Sequence, residues 1–100
     1  MSEILDVPGA SGARYRFRRT DLDALPATAG NILVLRPRKA GPELLLCAAV
    51  DSLAQARDAA AAALQGAPGA AVYIRLNVGR TARDAEQADI DAAAPGAADA

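Results

Sequence analysis

Apolar residues fall into five clusters along this 100-residue chain, as expected of short elements that pack together. Continuous aliphatic runs at 31–36 and 43–49, joined by a loop with proline and glycine, predict a β-hairpin. Leucine and alanine at helical spacing predict a helix at 52–65, and the stretch 70–78 predicts a third strand. A face of alanines predicts a second helix at 81–92. This order favours a small α/β domain of the α+β type, with a three-stranded, mainly antiparallel sheet flanked by the two helices.

Two segments alternate in the way that strands do. In 14–18 the two aromatic side chains would face one side of a strand and the three arginines the other. In 70–78 every second residue from Val72 to Val78 is aliphatic, which predicts one apolar face. We therefore expect an extended conformation in both segments.

The two ends of the chain differ from its centre. Residues 1–13 contain two glycines and a proline within five positions, which predicts a flexible N-terminal segment. Residues 93–100 are rich in alanine and include Pro95 and Gly96, which predicts a disordered tail. The domain itself is predicted over 14–92.

The composition excludes most kinds of catalytic and metal site. The chain has no histidine, which removes the usual general base and the commonest metal ligand. Cys47 is the only cysteine, so an internal disulfide and a cysteine-based zinc site are both excluded. Its position in an apolar run predicts a buried, unreactive thiol. Acidic residues cluster in the second helix, but they divide between two faces, so we expect no metal site and no cofactor, with Glu86 the one weak candidate ligand.

Charge and hydropathy bear on localisation and partners. The formal net charge of −1 provides no global attraction to nucleic acid or to an anionic membrane. No apolar run approaches the roughly 20 residues that a membrane-spanning helix needs, and the first residues lack the plan of a signal peptide. The expectation is a cytoplasmic protein that makes no contact with membranes.

Three segments resemble the motifs of GIY-YIG nuclease domains. Residues 25–32, Leu-Pro-Ala-Thr-Ala-Gly-Asn-Ile, resemble the opening "LPxxPGVY" of that family. Residues 45–53 resemble its second motif, "LYVGKAxNL", and a helix is predicted to start at the matching place. Residues 83–90 resemble the late helix that carries the metal-binding glutamate. The resemblance covers about 14–92 and implies a GIY-YIG-like domain there.

The resemblance also implies that the catalytic groups of the family are missing. Isoleucine and leucine stand at the positions of its two tyrosines, and alanine stands at those of its glycine, lysine and helix arginine. Phosphodiester cleavage needs a nucleophile, a metal and charge stabilisation together, so a degenerate nuclease, or pseudoenzyme, is expected. The motif positions that remain as vestiges are Gly30, Ile32, Leu46, Ala48, Ala56, Arg57 and Glu86, with Ala49 at the position of the lysine.

The sequence is compatible with three functions. The first is a non-catalytic binding module, whose apolar former active-site face contacts a protein partner or a second copy of the chain. The second is nucleic-acid binding without cleavage. The third is an active metal-dependent endonuclease that uses Arg57 and Glu86. A cleft that these two residues share with Tyr15 or Tyr73 would favour this third function. For nucleic-acid binding, one basic face is proposed, formed by Arg14, Arg16, Arg18, Arg19, Arg36, Arg38 and Lys39.

Overall fold

Two β-hairpins and one later strand form a single curled antiparallel sheet in the computed structural model, which describes residues 3–93. The sheet order is β1-β2-β5-β3-β4, and every neighbouring pair is antiparallel. Strands β1 and β4 are therefore the two edges. The strands are β1 (Ile4–Pro8), β2 (Arg14–Thr20), β3 (Gly30–Arg36), β4 (Glu43–Val50) and β5 (Ala71–Leu76).

Two helices cover opposite faces of this sheet. Helix α1 (Arg57–Gln65) follows a turn of 3-10 helix at Leu53–Ala56, and helix α2 (Arg80–Ala93) ends the described chain. Since successive side chains of a strand point to opposite faces, β3 sends Ile32 into the core beside α1 and Leu33 into the core beside α2. A further 3-10 turn, Leu22–Ala24, joins β2 to β3.

The core is divided between these two faces, and β3 contributes to both halves. Its first six residues are buried, which explains why its sequence is continuously aliphatic instead of alternating. The buried residues on the α1 side are Ile32, Val34, Leu53, Ala56, Ala60, Val72 and Ile74. Those on the α2 side are Val7, Phe17, Leu33, Leu35, Ala71, Tyr73 and Ile90.

The prediction of an α+β domain is confirmed, but the prediction of three strands is wrong, because the sheet has five. The segment 1–13, predicted to be flexible, contains β1, which pairs with β2 along its whole length. The alternating segment from Arg14 became β2 and joined the sheet beside β5. That pairing bridges more than 50 residues of sequence, and local patterns carry no information about it.

The boundaries of the later elements also differ from the predicted ones. The strand predicted at 70–78 ends at Leu76, and Leu76 and Val78 are 61% and 72% exposed instead of sharing a buried face. The helix predicted at 52–65 begins as 3-10 helix, and the helix predicted at 81–92 spans Arg80–Ala93. Apart from Ala93, the tail predicted at 93–100 lies outside the described residues.

Candidate functional site

The aliphatic residues at the motif positions come together inside the core. Ile32, Leu46, Ala48 and Ala56 all belong to the cluster on the α1 side of the sheet. Ile32 is completely buried and Ala56 is 8% exposed, while Leu46 and Ala48 on the edge strand are half-buried. These side chains fill the space between β3, β4 and the 3-10 turn before α1, so they stabilise the fold.

The two charged motif residues do not meet. Arg57 is exposed on α1, where its guanidinium lies 2.8 Å from a carboxylate oxygen of Asp23. Glu86 lies on α2, on the other side of the sheet, and accepts hydrogen bonds from Arg75 Nε (2.8 Å) and Asn77 Nδ2 (3.0 Å). The sheet therefore separates the pair on which an endonuclease mechanism would depend.

The two tyrosines lie on the α2 side, away from Arg57. The hydroxyl of Tyr15 donates a 2.7 Å hydrogen bond to Asp89, and the guanidinium carbon of Arg75 lies 5.6 Å from the centre of its ring. This hydrogen bond to a carboxylate raises the pKa of Tyr15 above its usual value. Tyr73 is buried in the core with 1% of its surface exposed. Neither tyrosine shares a cleft with both Arg57 and Glu86.

A buried polar network under α2 was not predicted from the sequence. Asn31, within β3, is completely buried, and its Nδ2 donates to the carbonyl oxygen of Arg83 (3.3 Å) and to Gln87 Oε1 (3.1 Å). Its Oδ1 accepts a hydrogen bond from Asn77 Nδ2 at 3.1 Å. One signal was present in the sequence: a single asparagine inside an otherwise aliphatic strand needs polar partners if the strand is buried.

Arg83 and Gln87 extend this network to the middle of β4 and to the residue that follows the strand. Arg83 is 4% exposed, and its guanidinium donates to the carbonyl oxygens of the two residues that follow β5 and to Asp51 Oδ1 at 2.8 Å. Gln87 Nε2 lies 2.9 Å from both Cys47 Sγ and Asp91 Oδ1. Each buried side-chain nitrogen and oxygen among the described residues has a hydrogen-bond partner, so the network anchors α2 and is saturated.

The predicted basic residues do not form one face. Arg14, Arg16 and Arg18 are exposed on the side of β2 that faces away from α2, while Arg19 is directed to the other side, in register with Tyr73. Strands β2 and β3 run in the same direction, because both are antiparallel to β5. Arg18 and Ile32 pair with the same residue of β5, so they lie level with each other, and Arg14 lies farther than Arg18 from the loop that follows β3. That loop, with the end of β3, carries the second basic group, Arg36, Arg38 and Lys39.

Ion pairs with a carboxylate neutralise part of the positive charge of the second basic group. Arg36 and Arg38 both donate to Glu43 Oε1, at 2.5 and 3.2 Å. These hydrogen bonds hold the pKa of Glu43 below its usual range. Lys39 is exposed at the tip of the loop. The two basic groups therefore lie at opposite ends of the sheet, and only the group on β2 presents several arginines along one surface.

Strand β4 is the least protected feature of the sheet. It is an edge strand of eight residues, all of them half-buried, and Glu43 at its start is its only charged residue. Edge strands are usually blunted by charge, proline or short length, because an open row of backbone N–H and C=O groups accepts further strands. The other edge, β1, has five residues with Asp6 at its centre and Pro8 at its end. Within residues 3–93, one edge is thus protected and the other is open.

Cys47 lies at the middle of this open edge. Burial raises the pKa of its thiol to about 11, with Asp91 acting in the same direction and the hydrogen bond from Gln87 acting against it. The thiol is therefore protonated at neutral pH, where a thiolate nucleophile would be needed for chemistry. The thiol was predicted to be buried, and the structure shows it half-buried.

An apolar groove of about 390 Å³ lies between β1, the first residues of β4 and the end of α2. Leu5, Leu35 and Ile90 are among the residues that line it. Its two carboxylates, Asp6 and Glu43, are each paired with arginine. The groove therefore presents mainly aliphatic surface and identifies no particular ligand.

Residues 3–93 contain neither a cluster of metal ligands nor a helix suited to crossing a membrane. Across residues 3–93, His, Cys, Asp and Glu side chains form no group of three or more that could hold a metal ion. Neither of the two helices described has the length and apolar character to cross a bilayer. No protein-family model, no curated protein and no solved structure matches this chain.

Proposed function

We propose that this chain is a non-catalytic binding module that accepts an additional β-strand from a protein partner along the open edge of β4. The observation that carries the proposal is the eight-residue edge strand in which only the first residue is charged. Addition of a strand to a sheet edge is a common mode of peptide recognition, in which main-chain hydrogen bonds supply affinity and side-chain contacts supply specificity.

The side chains of β4 add an apolar contribution to such pairing. Leu44, Leu45 and Leu46 are packed only on the side of their own domain and remain half-exposed. Covering them with a partner strand would contribute about 25 cal/mol for each Å² of apolar surface removed from water. Each new backbone hydrogen bond would add about 0.5–1.5 kcal/mol. Both sources act on the same strand, so the edge is suited to specific association.

The geometry of the motif positions supports the non-catalytic part of the proposal. Ile32 and Leu46 place aliphatic side chains in the core where the GIY-YIG resemblance would require phenolic oxygens. Arg57 and Glu86 lie on opposite sides of the sheet. A reaction that depends on several groups acting as a unit loses most of its rate when one of them is removed.

Replacing Ala48 with lysine tests the proposed edge. Ala48 lies on β4 facing the α1 side, and the lysine stem can lie along the aliphatic core surface while its ammonium group reaches water. We expect the variant to fold, and its affinity for a β4-bound partner to fall at least about tenfold, which is ~1.4 kcal/mol. If the partner is a second copy, sedimentation equilibrium will show a mass near 10.2 kDa at concentrations where the wild type is heavier.

The same substitution at another place provides the control. Ala59 is exposed on α1, so Ala59→Lys adds the same charge away from the edge and should associate as the wild type does. Ala48→Glu should weaken association as Ala48→Lys does, because either charge must lose water in the interface. Equal association of the wild type, Ala48→Lys and Ala48→Glu would show that β4 is not the contact surface.

One surface favours nucleic-acid binding as a second candidate function. Arg16 and Arg18 line an open concave surface on the α1 side of the sheet, together with Ile4, Leu76 and Ala24 of the 3-10 turn. Arginines in a row can each contact a backbone phosphate, which makes affinity strongly dependent on salt.

For this candidate, we expect the wild type to shift the mobility of nucleic acid at about 50 mM salt. The double variant Arg16→Ala, Arg18→Ala should lose this shift, and its slope of log affinity against log salt should be smaller by about 2. The double variant Lys39→Ala, Arg80→Ala removes the same charge from exposed positions elsewhere and should keep the shift. An unchanged shift in both variants, or no shift for the wild type, would exclude the surface on β2.

A further inference from the structure

We infer that the strand that docks on β4 is β4 of a second copy of this chain, antiparallel to the first, with the two-fold axis beside Cys47. This inference rests on the proposed function and adds the identity and the register of the partner. Pairing of this kind would join two five-stranded sheets into one continuous sheet. A two-fold axis makes such an interface self-complementary and closed, so association stops at the dimer.

The first support is the position of Cys47 in the hydrogen-bonding ladder. The register between β3 and β4 shifts once, at Val34/Leu35, because Leu45 is an additional residue in β4. This leaves seven paired positions on β4, and Cys47 is the central one. A two-fold rotation about an axis beside Cys47 therefore places the seven positions of one copy opposite the same seven positions of the second copy, in reverse order. The rotation keeps each side chain on the same face of the joined sheet. The seven positions are Glu43, Leu44, Leu46, Cys47, Ala48, Ala49 and Val50.

The second support is the distribution of side-chain size about that axis. The three leucines of β4 all precede Cys47, and the two alanines both follow it. Reverse pairing places Leu46 opposite Ala48 of the second copy, and Leu44 opposite its Ala49. Large side chains thus meet small ones on both faces of the joined sheet, where leucines placed opposite leucines would crowd and alanines placed opposite alanines would leave gaps.

The third support is charge. The loop that precedes β4 carries the exposed Lys39, whereas Asp51 follows the strand with its side chain 86% exposed and accepts a hydrogen bond from Arg83 through Oδ1. Antiparallel pairing brings the basic loop of each copy towards Asp51 of the other, so the contact is favourable at both ends. The net charge of −1 opposes the approach of a second copy only weakly.

Cross-linking between engineered cysteines tests the register. In the Cys47→Ala background, one variant carries Leu44→Cys and another carries Ala49→Cys. Opposite Cα atoms of an antiparallel pair lie about 4.5–5.5 Å apart, which suits a disulfide, whose Cα atoms lie about 4.4–6.8 Å apart. Oxygen with copper phenanthroline serves as oxidant and takes up the two electrons and two protons that the thiols lose. We expect a disulfide-linked dimer in the mixture of the two variants, and none in either variant alone.

Native Cys47 provides a second measurement that needs no change to the fold. It faces Cys47 of the second copy in the inferred register, so the wild type should cross-link with the same oxidant at alkaline pH. Alkaline conditions are needed because a pKa of about 11 leaves little thiolate near neutrality. Circular dichroism and thermal melting of each variant establish that it is folded before its cross-linking is compared.

The outcomes separate this inference from the function on which it rests. A mixed cross-link, with a Cys47 cross-link in the wild type, supports the register. A dimer that Ala48→Lys disrupts, but in which neither cross-link forms, overturns the register and leaves β4 as the contact surface. A wild-type mass that stays at 10.2 kDa up to millimolar concentration overturns the second copy as the partner. A dimer insensitive to Ala48→Lys overturns the use of β4 itself.

Discussion

Asn31→Leu is expected to lower the free energy of unfolding by about 3 kcal/mol, since leaving a buried polar group without a partner costs about 1–3 kcal/mol and more than one group is affected. Asn31 is completely buried and serves three partners. Leucine shares the branched shape of asparagine, although it is larger, and it leaves the Arg83 carbonyl oxygen and Gln87 Oε1 without the donor that Asn31 supplies. Urea denaturation followed by circular dichroism measures the loss as a lower transition midpoint.

The double variant Asn31→Leu, Gln87→Leu is the control that isolates the mechanism. If unpaired polar groups cause the loss, removing Gln87 as well should recover part of the stability, because replacing both partners by apolar groups is far less costly than removing one. The interpretation of the network would be wrong if Asn31→Leu cost less than about 1 kcal/mol, or if the double variant were less stable by the full sum of the two single losses.

Gly30→Ala is expected to destabilise the fold by about 3 kcal/mol, at the upper end of what adding one carbon to a packed site costs. A Cβ at this position would lie 2.3 Å from the backbone carbonyl oxygen of Arg75 and 3.0 Å from Leu53 Cδ1. The carbonyl belongs to the neighbouring strand β5, so relief requires β3 and β5 to separate where Gly30 pairs with Leu76. Thermal unfolding of the purified variant measures the effect.

Gly66→Ala is the matched control, since a Cβ at Gly66 meets nothing within 4 Å and its φ of −95° suits alanine. A change within about 0.5 kcal/mol is expected there, as for an ordinary surface substitution. Similar melting temperatures for the two variants would show that the close approach of β5 to Gly30 does not constrain the fold. The result also bears on the GIY-YIG resemblance, because the contact with Arg75 accounts for this glycine without any catalytic role.

Local pattern was sufficient for the elements that bury most of their surface. The hairpin of β3 and β4 was predicted close to its observed bounds, because continuous aliphatic runs are typical of strands covered on both faces. The short strand β1 was missed because it buries only Val7, and its other residues alternate too weakly to distinguish a strand from a loop. The pairing of β2 with β5 depends on contacts distant in sequence, which local periodicity does not encode.

The candidate site was harder to predict than the fold. The sequence showed that β4 is apolar and almost uncharged, but the same pattern describes a central strand, and only the sheet order makes β4 an edge. The sequence also grouped Arg14 and Arg38 in one basic face, although the sheet places their segments at opposite ends. The polar partners of Asn31 come from the residue after β5 and from α2, more than 40 residues away along the chain.

Hydrogen–deuterium exchange at increasing protein concentration tests most directly whether β4 is the contact surface, because it reports which backbone amides become protected. If the partner is a second copy, the amides of β4 that point away from β3 should exchange at least about tenfold more slowly at concentrations where the mass doubles than in dilute solution. The exchange rates of the β1 amides should not change. Protection that develops on β1, on the arginine-bearing face of β2 or on a helix surface while β4 exchanges at its dilute rate would contradict the account.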